Sequence, residues 1–143
     1  MEDLHETAAR RVGQLSQRYT TNRRALVELL AGREAPVSIP EILELAPELA
    51  QSSAYRNLRL LEDAGVVARI VASGEFARYE LAEDLTAHHH HLICRSCNAV
   101  IDFTAPAEIE RQLAKLVAQV YGETGFRGER HRLDVVGACA ACV

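Results

Sequence analysis

The chain has 143 residues, 48% hydrophobic and 25% charged, which suits one ordinary globular domain or two small ones and excludes a disordered chain. Its 16 basic and 20 acidic side chains leave a net charge of −4, so bulk charge alone does not point to nucleic acid. No apolar run approaches the ~20 residues of a membrane span. The opening MEDLHETAARR carries acids where a signal peptide needs an apolar core, so a cytoplasmic protein with no membrane partner is expected.

Residues 2 to 17 read as a first helix with Leu4, Ala8, Arg11 and Leu15 on one side. RYTTNRRALVELLAG then offers a polar start at Thr20 and Thr21, an apolar stripe of Leu26, Leu29 and Leu30, and Gly32 as a stop. SIPEILELAPELA has capping-box spacing, Ser38 with Glu41, and Pro40 in the first turn, where a missing N–H costs little. Ile39, Ile42 and Leu43 face inward, and Pro47 ends this third helix.

Gln51, Ser52 and Ser53 are expected to cap a fourth helix, SAYRNLRLLEDAG, with Ala54, Leu58 and Leu61 inward and Gly65 at its end. Two alternating runs, VVARIV from Val66 and FARYEL from Phe76, joined through Ala72, Ser73, Gly74 and Glu75, predict a hairpin.

Three helices and a hairpin make a winged helix-turn-helix over residues 1–81, in which the fourth helix is presented to a DNA major groove. Gln51, Ser52, Ser53, Tyr55 and Arg56 are then the candidate DNA contacts, with Arg23 and Arg24 at the backbone and Arg69 and Arg78 on the wing. A helical interaction module with solvated arginines fits the same periodicity.

Residues 82–87 form a polar connector containing Glu83 and Asp84, a candidate hinge. The stretch His88 to Cys97, HHHHLICRSC, then opens the second half. Cys94 and Cys97 form one C-x-x-C, and Cys139 and Cys142 form another; together they use every cysteine in the chain. Two such knuckles supply the four thiolates of a closed tetrahedral zinc site, and this favours structural zinc over disulfides. The 41 residues between Cys97 and Cys139 must fold back for the knuckles to meet, so the metal would staple a subdomain.

If HHHHLIC is a strand, His88 and His90 point one way and His89 and His91 the other, giving two potential metal sites. Candidate partners are Glu80, Glu83 and Asp84 before the run, and Asp102, Glu108, Glu110 and His131 after it. AVIDF reads as a second strand, and RHRLDVVGA as a third. Between them, Ala107 to Tyr121 reads as an amphipathic helix through Ile109, Leu113, Leu116 and Val120. Residues 88–143 are therefore expected to be a small α+β unit, too small to bury a large core, with zinc and self-association as its supports. The fold class is mostly α in the first half and α+β in the second.

In this order, SSAYRNLRLLEDAGVV, RYELAEDLTAHHHHLICRSC and GACAAC resemble the recognition helix, the hinge with its metal strand, and the C-terminal knuckle of the ferric-uptake-regulator (Fur) family of bacterial repressors. The resemblance spans nearly the whole chain. It implies structural zinc on Cys94, Cys97, Cys139 and Cys142, and a regulatory site of His89 and His91 with an acid such as Glu80, Glu83 or Asp102. It further implies an additional site of His88, His90, Glu110 and His131, where Glu110 suits the family's I-E-x pattern better than Glu108.

The functional expectation is a homodimeric, metal-dependent repressor of metal-uptake genes, bound to a palindromic operator in double-stranded DNA, with no small-molecule substrate. Pro36 stands where iron and peroxide sensors of the family usually carry a histidine, and no cysteine stands in the hinge, where zinc sensors usually have one. The four-histidine run is most like the zinc-uptake branch, so Zn(2+) is favoured over Fe(2+) or manganese as the regulatory ion. A zinc-dependent hydrolase is the alternative of another class, but no H-E-x-x-H or Ser-His-Asp arrangement supports it.

Overall fold

The computed structural model describes residues 3–70 and 77–143. They form two compact units, Met1–His88 and His89–Val143. The described residues combine helices with two three-stranded sheets; the mixed class is as expected, but the N-terminal sheet has one strand more than the expected hairpin.

In the N-terminal unit the first helix, α1, covers Leu4–Gln14 and is shorter than expected. Ser16 takes a left-handed φ of 58°, which ends the helix and leaves Leu15 41% exposed. Thr7, Ala8 and Val12 form the buried stripe instead. The second helix, α2 (Thr21–Ala31), is capped by the Thr20 hydroxyl, which accepts from the Arg23 N–H. Leu26, Val27 and Leu30 are buried, and Leu29 is only partly covered.

Val37–Ser38 forms a short strand, β1, that two residues could not announce by alternation. Ser38 then caps α3 (Ile39–Leu45) by accepting from the Glu41 N–H at 3.3 Å, with Pro40 in the first turn. The Glu41 side chain does not complete a capping box. The Glu41 carboxylate instead accepts from the Ser38 hydroxyl at 3.1 Å and from Arg78 at 2.7 Å.

The fourth helix, α4, runs Gln51–Asp63 with Ala50 at its N-cap and no side-chain cap, which corrects the expectation for Gln51, Ser52 and Ser53. These three lie inside the first turn, where Ser53 serves another partner: its hydroxyl oxygen accepts from the Asn57 amide at 3.3 Å. Ala54, Leu58 and Leu61 are buried as expected, and Gly65 ends the segment at φ 76°, a conformation that favours glycine.

Two strands follow, β2 (Val67–Ile70) and β3 (Arg78–Leu81), antiparallel with Val67 opposite Leu81 and Ile70 opposite Arg78. The expected connection through Ala72, Ser73, Gly74 and Glu75 lies outside the described residues. β3 sits between β1 and β2. A short 3-10 turn, Glu83–Leu85, occupies the expected connector, where Arg11 of α1 donates to Asp84 and to the Gly65 carbonyl. Leu26, Ile42, Leu58, Leu61 and Val66 are fully buried at the centre of this unit.

The C-terminal unit contains β4 (His90–Cys94), β5 (Val100–Phe103), α5 (Ala107–Thr124) and β6 (Asp134–Gly137). The sheet order is β5-β4-β6, antiparallel between β4 and β5 and parallel between β4 and β6. Its apolar core is thin: Ile93, Val100 and Ala105 are buried, whereas no residue of α5 is. Ile109, Leu116, Val135 and Val136 are 44%, 54%, 51% and 56% exposed. Among the described residues no helix is long and apolar enough to cross a membrane.

These burial patterns make a direct test. Leu58→Ala empties a fully enclosed position and should cost about 2–5 kcal/mol, whereas Leu45→Ala, at a position 48% exposed, should change stability by about 0.5 kcal/mol or less. Urea unfolding of the two variants, followed by circular dichroism, measures both. Equal losses would contradict the assignment of the core.

Candidate metal centres and nucleic-acid interface

The cysteine cluster is a product of strand register. Cys94 ends β4 opposite Gly137 of β6, so the chain leaving β6 delivers Cys139 beside it. The Cys139 N–H donates to Cys94 Sγ at 3.3 Å. Asn98, at a left-handed φ of 62°, turns the chain between β4 and β5 and keeps Cys97 close. The four Sγ atoms lie within 4.8 Å of one another, and Cys97 Sγ is 3.7 Å from Cys139 Sγ.

A zinc ion with Zn–S bonds of about 2.3 Å sets tetrahedral edges of about 3.8 Å, whereas a disulfide needs about 2.05 Å. The four cysteines are free thiols, and their spacing has the dimension of a tetrathiolate metal site.

Proton affinities within the cluster fit the same chemistry. The Cys139 backbone N–H, then the Cys97 backbone N–H, draws the Cys94 thiol down to about 6, so it ionises readily. Cys142 is pushed up to about 12, chiefly by its side-chain hydrogen bond to Cys139 and then by those to Cys97 and Cys94. Successive negative charges in one small volume repel, and a bound dication is what allows all four to ionise.

The histidine run divides by the pleat of β4. On one side, His89 and His91 meet edge to face at 5.0 Å, and the Nε2 atoms of both stand 3.6 Å from the Asp102 carboxylate. Asp102 lies opposite His91 in the β4–β5 ladder, and Asp134 lies opposite His91 in the β4–β6 ladder. The Asp134 carboxylate is 3.6 Å from His91 Nδ1. Sequence reasoning missed Asp134, because only the parallel register reveals it.

On the other side, His90 Nε2 is 2.6 Å from Glu110 Oε1, and His131 Nε2 is 3.2 Å from Glu110 Oε2. The His90 and His131 rings stack at 5.4 Å, and the His90 side chain is only 1% exposed. Glu108 is occupied elsewhere, by Arg111 and Gln112. Each group, His89 with His91 and Asp102, and His90 with Glu110 and His131, keeps its donor atoms within 4.8 Å. Imidazoles and half-buried carboxylates that converge in this way suit a divalent cation, whose charge offsets the cost of partly desolvating the acids.

The remaining expected ligands belong to the N-terminal unit. Glu80 lies on β3 opposite Ala68. Glu83, in the 3-10 turn, accepts from or donates to His88 Nδ1 according to their protonation. Asp84 is held by Arg11.

On α4, Gln51, Ser52, Tyr55 and Arg56 are exposed and Ser53 is half-buried. Tyr55 is 47% exposed, a large aromatic surface for a helix with so compact an inner face. Arg24, Arg69 and Arg78 stand 3.7, 3.4 and 2.7 Å from Glu28, Glu62 and Glu41. Arg23 donates from Nε to Asn57 Oδ1 at 3.0 Å and from Nη1 to the Arg18 carbonyl.

The profile of the Ferric uptake regulator family matches residues 14–136. The chain belongs to that family. The ferric uptake regulation protein of Campylobacter jejuni is 36% identical over 131 residues, spanning 87% of this chain and 79% of that protein. The ferric uptake regulator Fur of Helicobacter pylori, whose structure is described as revealing three functional metal binding sites, superposes with a TM-score of 0.75. It is 25% identical and covers 99% of this chain and 94% of its own. A zinc-bound manganese uptake regulator superposes at 0.66 with 31% identity, covering 96% of this chain and 99% of its own.

This ferric uptake regulator family member is thus a metal-responsive transcriptional regulator. Relatives in the family are transcription regulators and not enzymes. The cysteine cluster gives the second test. Removing residues 139–143 deletes two of the four thiols; a structural zinc held by all four would contribute on the order of 10 kcal/mol. The truncated protein should lose one tightly held zinc per chain and the cooperative melting of its C-terminal half, read by metal analysis and calorimetry. Unchanged melting would overturn the stapling role.

Proposed function

We propose that this family member is a zinc-sensing repressor of metal-uptake genes, acting as a cytoplasmic homodimer on a palindromic operator. The observation that carries the reading is the pairing of a winged helix with two histidine–carboxylate clusters built on opposite sides of one strand. Structural zinc is proposed on Cys94, Cys97, Cys139 and Cys142. The regulatory ligands are His89, His91 and Asp102, with a hinge acid implied by the family resemblance. Glu80 and Glu83 are the candidates for that acid. His88, His90, Glu110 and His131 are proposed as the additional site.

A bound dication would supply the positive charge that offsets the half-buried carboxylates and would fix the geometry of its ligands. The protein's part is to keep two imidazoles and an acid in place on rigid strands, so that ordering the hinge acid restricts the spacing of two winged helices. Only one spacing suits half-sites about one DNA turn apart, and ligand occupancy then becomes DNA affinity by population shift. At the DNA, α4 presents Gln51, Ser52, Ser53, Tyr55 and Arg56 to the major groove, with Arg69 as a flanking contact.

Imidazole-rich sets favour zinc and iron over manganese, which supports zinc as the sensed ion. A manganese-sensing reading is the second, because of the 31% identity to a manganese uptake regulator.

The test is fluorescence anisotropy of the protein, retaining structural zinc but stripped of exchangeable metal, on DNA upstream of its own gene. Buffered Zn(II), Mn(II) and anaerobic Fe(II) are compared. Zinc should raise specific affinity at least about tenfold, and His91→Ala should abolish the response while Tyr55→Ala and Arg56→Ala abolish specific binding at every metal level. A stronger response to manganese would transfer the assignment to that ion, and no response to any would sink the sensor mechanism.

A further inference from the structure

The recognition helix α4 buries one polar side chain, Asn57, which is 6% exposed amid Ala54, Leu58 and Leu61. A buried amide needs its hydrogen bonds satisfied, and here both ends are used. Its oxygen accepts from Arg23 Nε at 3.0 Å, and its nitrogen donates to Ser53 Oγ at 3.3 Å. The orientation of the amide is dictated, because arginine can only donate: the amide oxygen must face Arg23, and the NH2 group must face Ser53. Arg23 is itself anchored at its far end, where Nη1 donates to the carbonyl of Arg18, just before α2.

The chain of contacts runs from the backbone ahead of α2, through Arg23 and Asn57, to the first turn of α4. That turn has no side-chain cap, so local sequence does little to fix it. Ser53, one residue before the inward-facing Ala54 and two before the exposed Tyr55, sits at the margin between core and groove-facing surface. With its oxygen accepting from Asn57, the hydroxyl is left to direct its proton away from the amide.

We propose that Arg23 is a positioning residue for the recognition helix, acting through Asn57 on Ser53 and the first turn of α4, and not a phosphate contact. The inference rests on the DNA-binding reading above and replaces the backbone contact that the sequence alone suggested for Arg23. The two roles make opposite demands on residue 23. A phosphate contact needs positive charge, which lysine supplies. A positioning residue needs a planar N–H at the place of Nε. Glutamine supplies that donor, since its side-chain nitrogen stands the same number of bonds from Cα as arginine Nε, and it carries no charge.

Specific and non-specific DNA affinities of the full-length, metal-loaded protein, measured from about 50 to 200 mM salt, separate the two for R23Q, R23K and N57L. The expected result is that R23Q keeps specific affinity within about threefold, with an unchanged salt slope. R23K and N57L should each lose about tenfold in the ratio of specific to non-specific affinity, also without a change of slope. The double variant R23K/N57L should lose no more than either single one, because both break the same contact.

If R23K binds like the natural protein while R23Q loses affinity and its salt slope falls by about 0.9, Arg23 is a phosphate contact and the proposal is overturned. Equal losses in R23Q and R23K overturn it as well. Thermal melting of each variant identifies any loss due to unfolding; R23Q and R23K, at a partly exposed position, decide the question if N57L does not fold. Absence of specific binding by the natural protein at any metal level is a different result, which removes the DNA-binding reading itself.

Discussion

The parallel pairing of β6 with β4 is the constraint from which the chemistry of the C-terminal unit follows. It sets Gly137 against Cys94, which brings Cys139 within hydrogen-bonding distance of the Cys94 sulfur, and Asp134 against His91. A slip of one residue would turn the side chains of β6 to the other face and carry Cys139 away from its partner. Few apolar side chains guard against that slip, since Val135 and Val136 are both more than half exposed. The thiol cluster can do so: four sulfurs around one tetrahedral ion would specify a single register, and that register would in turn order the histidine clusters a few residues away.

A unit whose helix has no buried residue cannot owe much of its stability to an apolar core. Its interior is instead populated by ionisable groups, among them His90, His91 and Cys94. Burying such groups is costly without partners, so the folded state of this half is tied to whatever neutralises them. The same feature that would count as a defect in an ordinary small domain gives a sensor its response. Ligand occupancy and local order become one equilibrium, and the exposed Ile109, Leu116, Val135 and Val136 offer the apolar surface that a second copy can cover.

Much of this was legible in the sequence because the strongest signals were local. Ser38 with Glu41 and Pro40 announced α3, the spacing of Ala54, Leu58 and Leu61 gave the inner face of α4, and the period of two in the histidine run separated His90 from His91. What escaped depended on the rest of the fold. Leu15 looked like the next turn of α1, but Ser16 adopts a left-handed conformation and ends the helix before it. Ser53 looked like a cap, but its oxygen is used by Asn57, a partner already within the helix. Asp134 carried no signal at all, since an acid in a strand acquires meaning only when the neighbouring strand is known.

An acidic chain that reads DNA must concentrate its recognition in few places, and the distribution of arginine partners shows how this one can do so. Arg24, Arg59, Arg69 and Arg78 each have a glutamate or aspartate within 4.0 Å, and Arg11 is held by Asp84. Exposed pairs of this kind contribute little stability, but each carboxylate competes with phosphate for its arginine and lowers the gain from counterion release. Non-specific attraction to DNA is thereby lowered at these five arginines. On α4, Arg59 is paired with Asp63, whereas Arg56 has no carboxylate partner among the described residues and stands next to the exposed Tyr55. A surface that mutes its general attraction to phosphate while leaving one cation and one aromatic ring available on the recognition helix gains discrimination at the expense of raw affinity. The alignment of that helix then matters more than the number of charges around it.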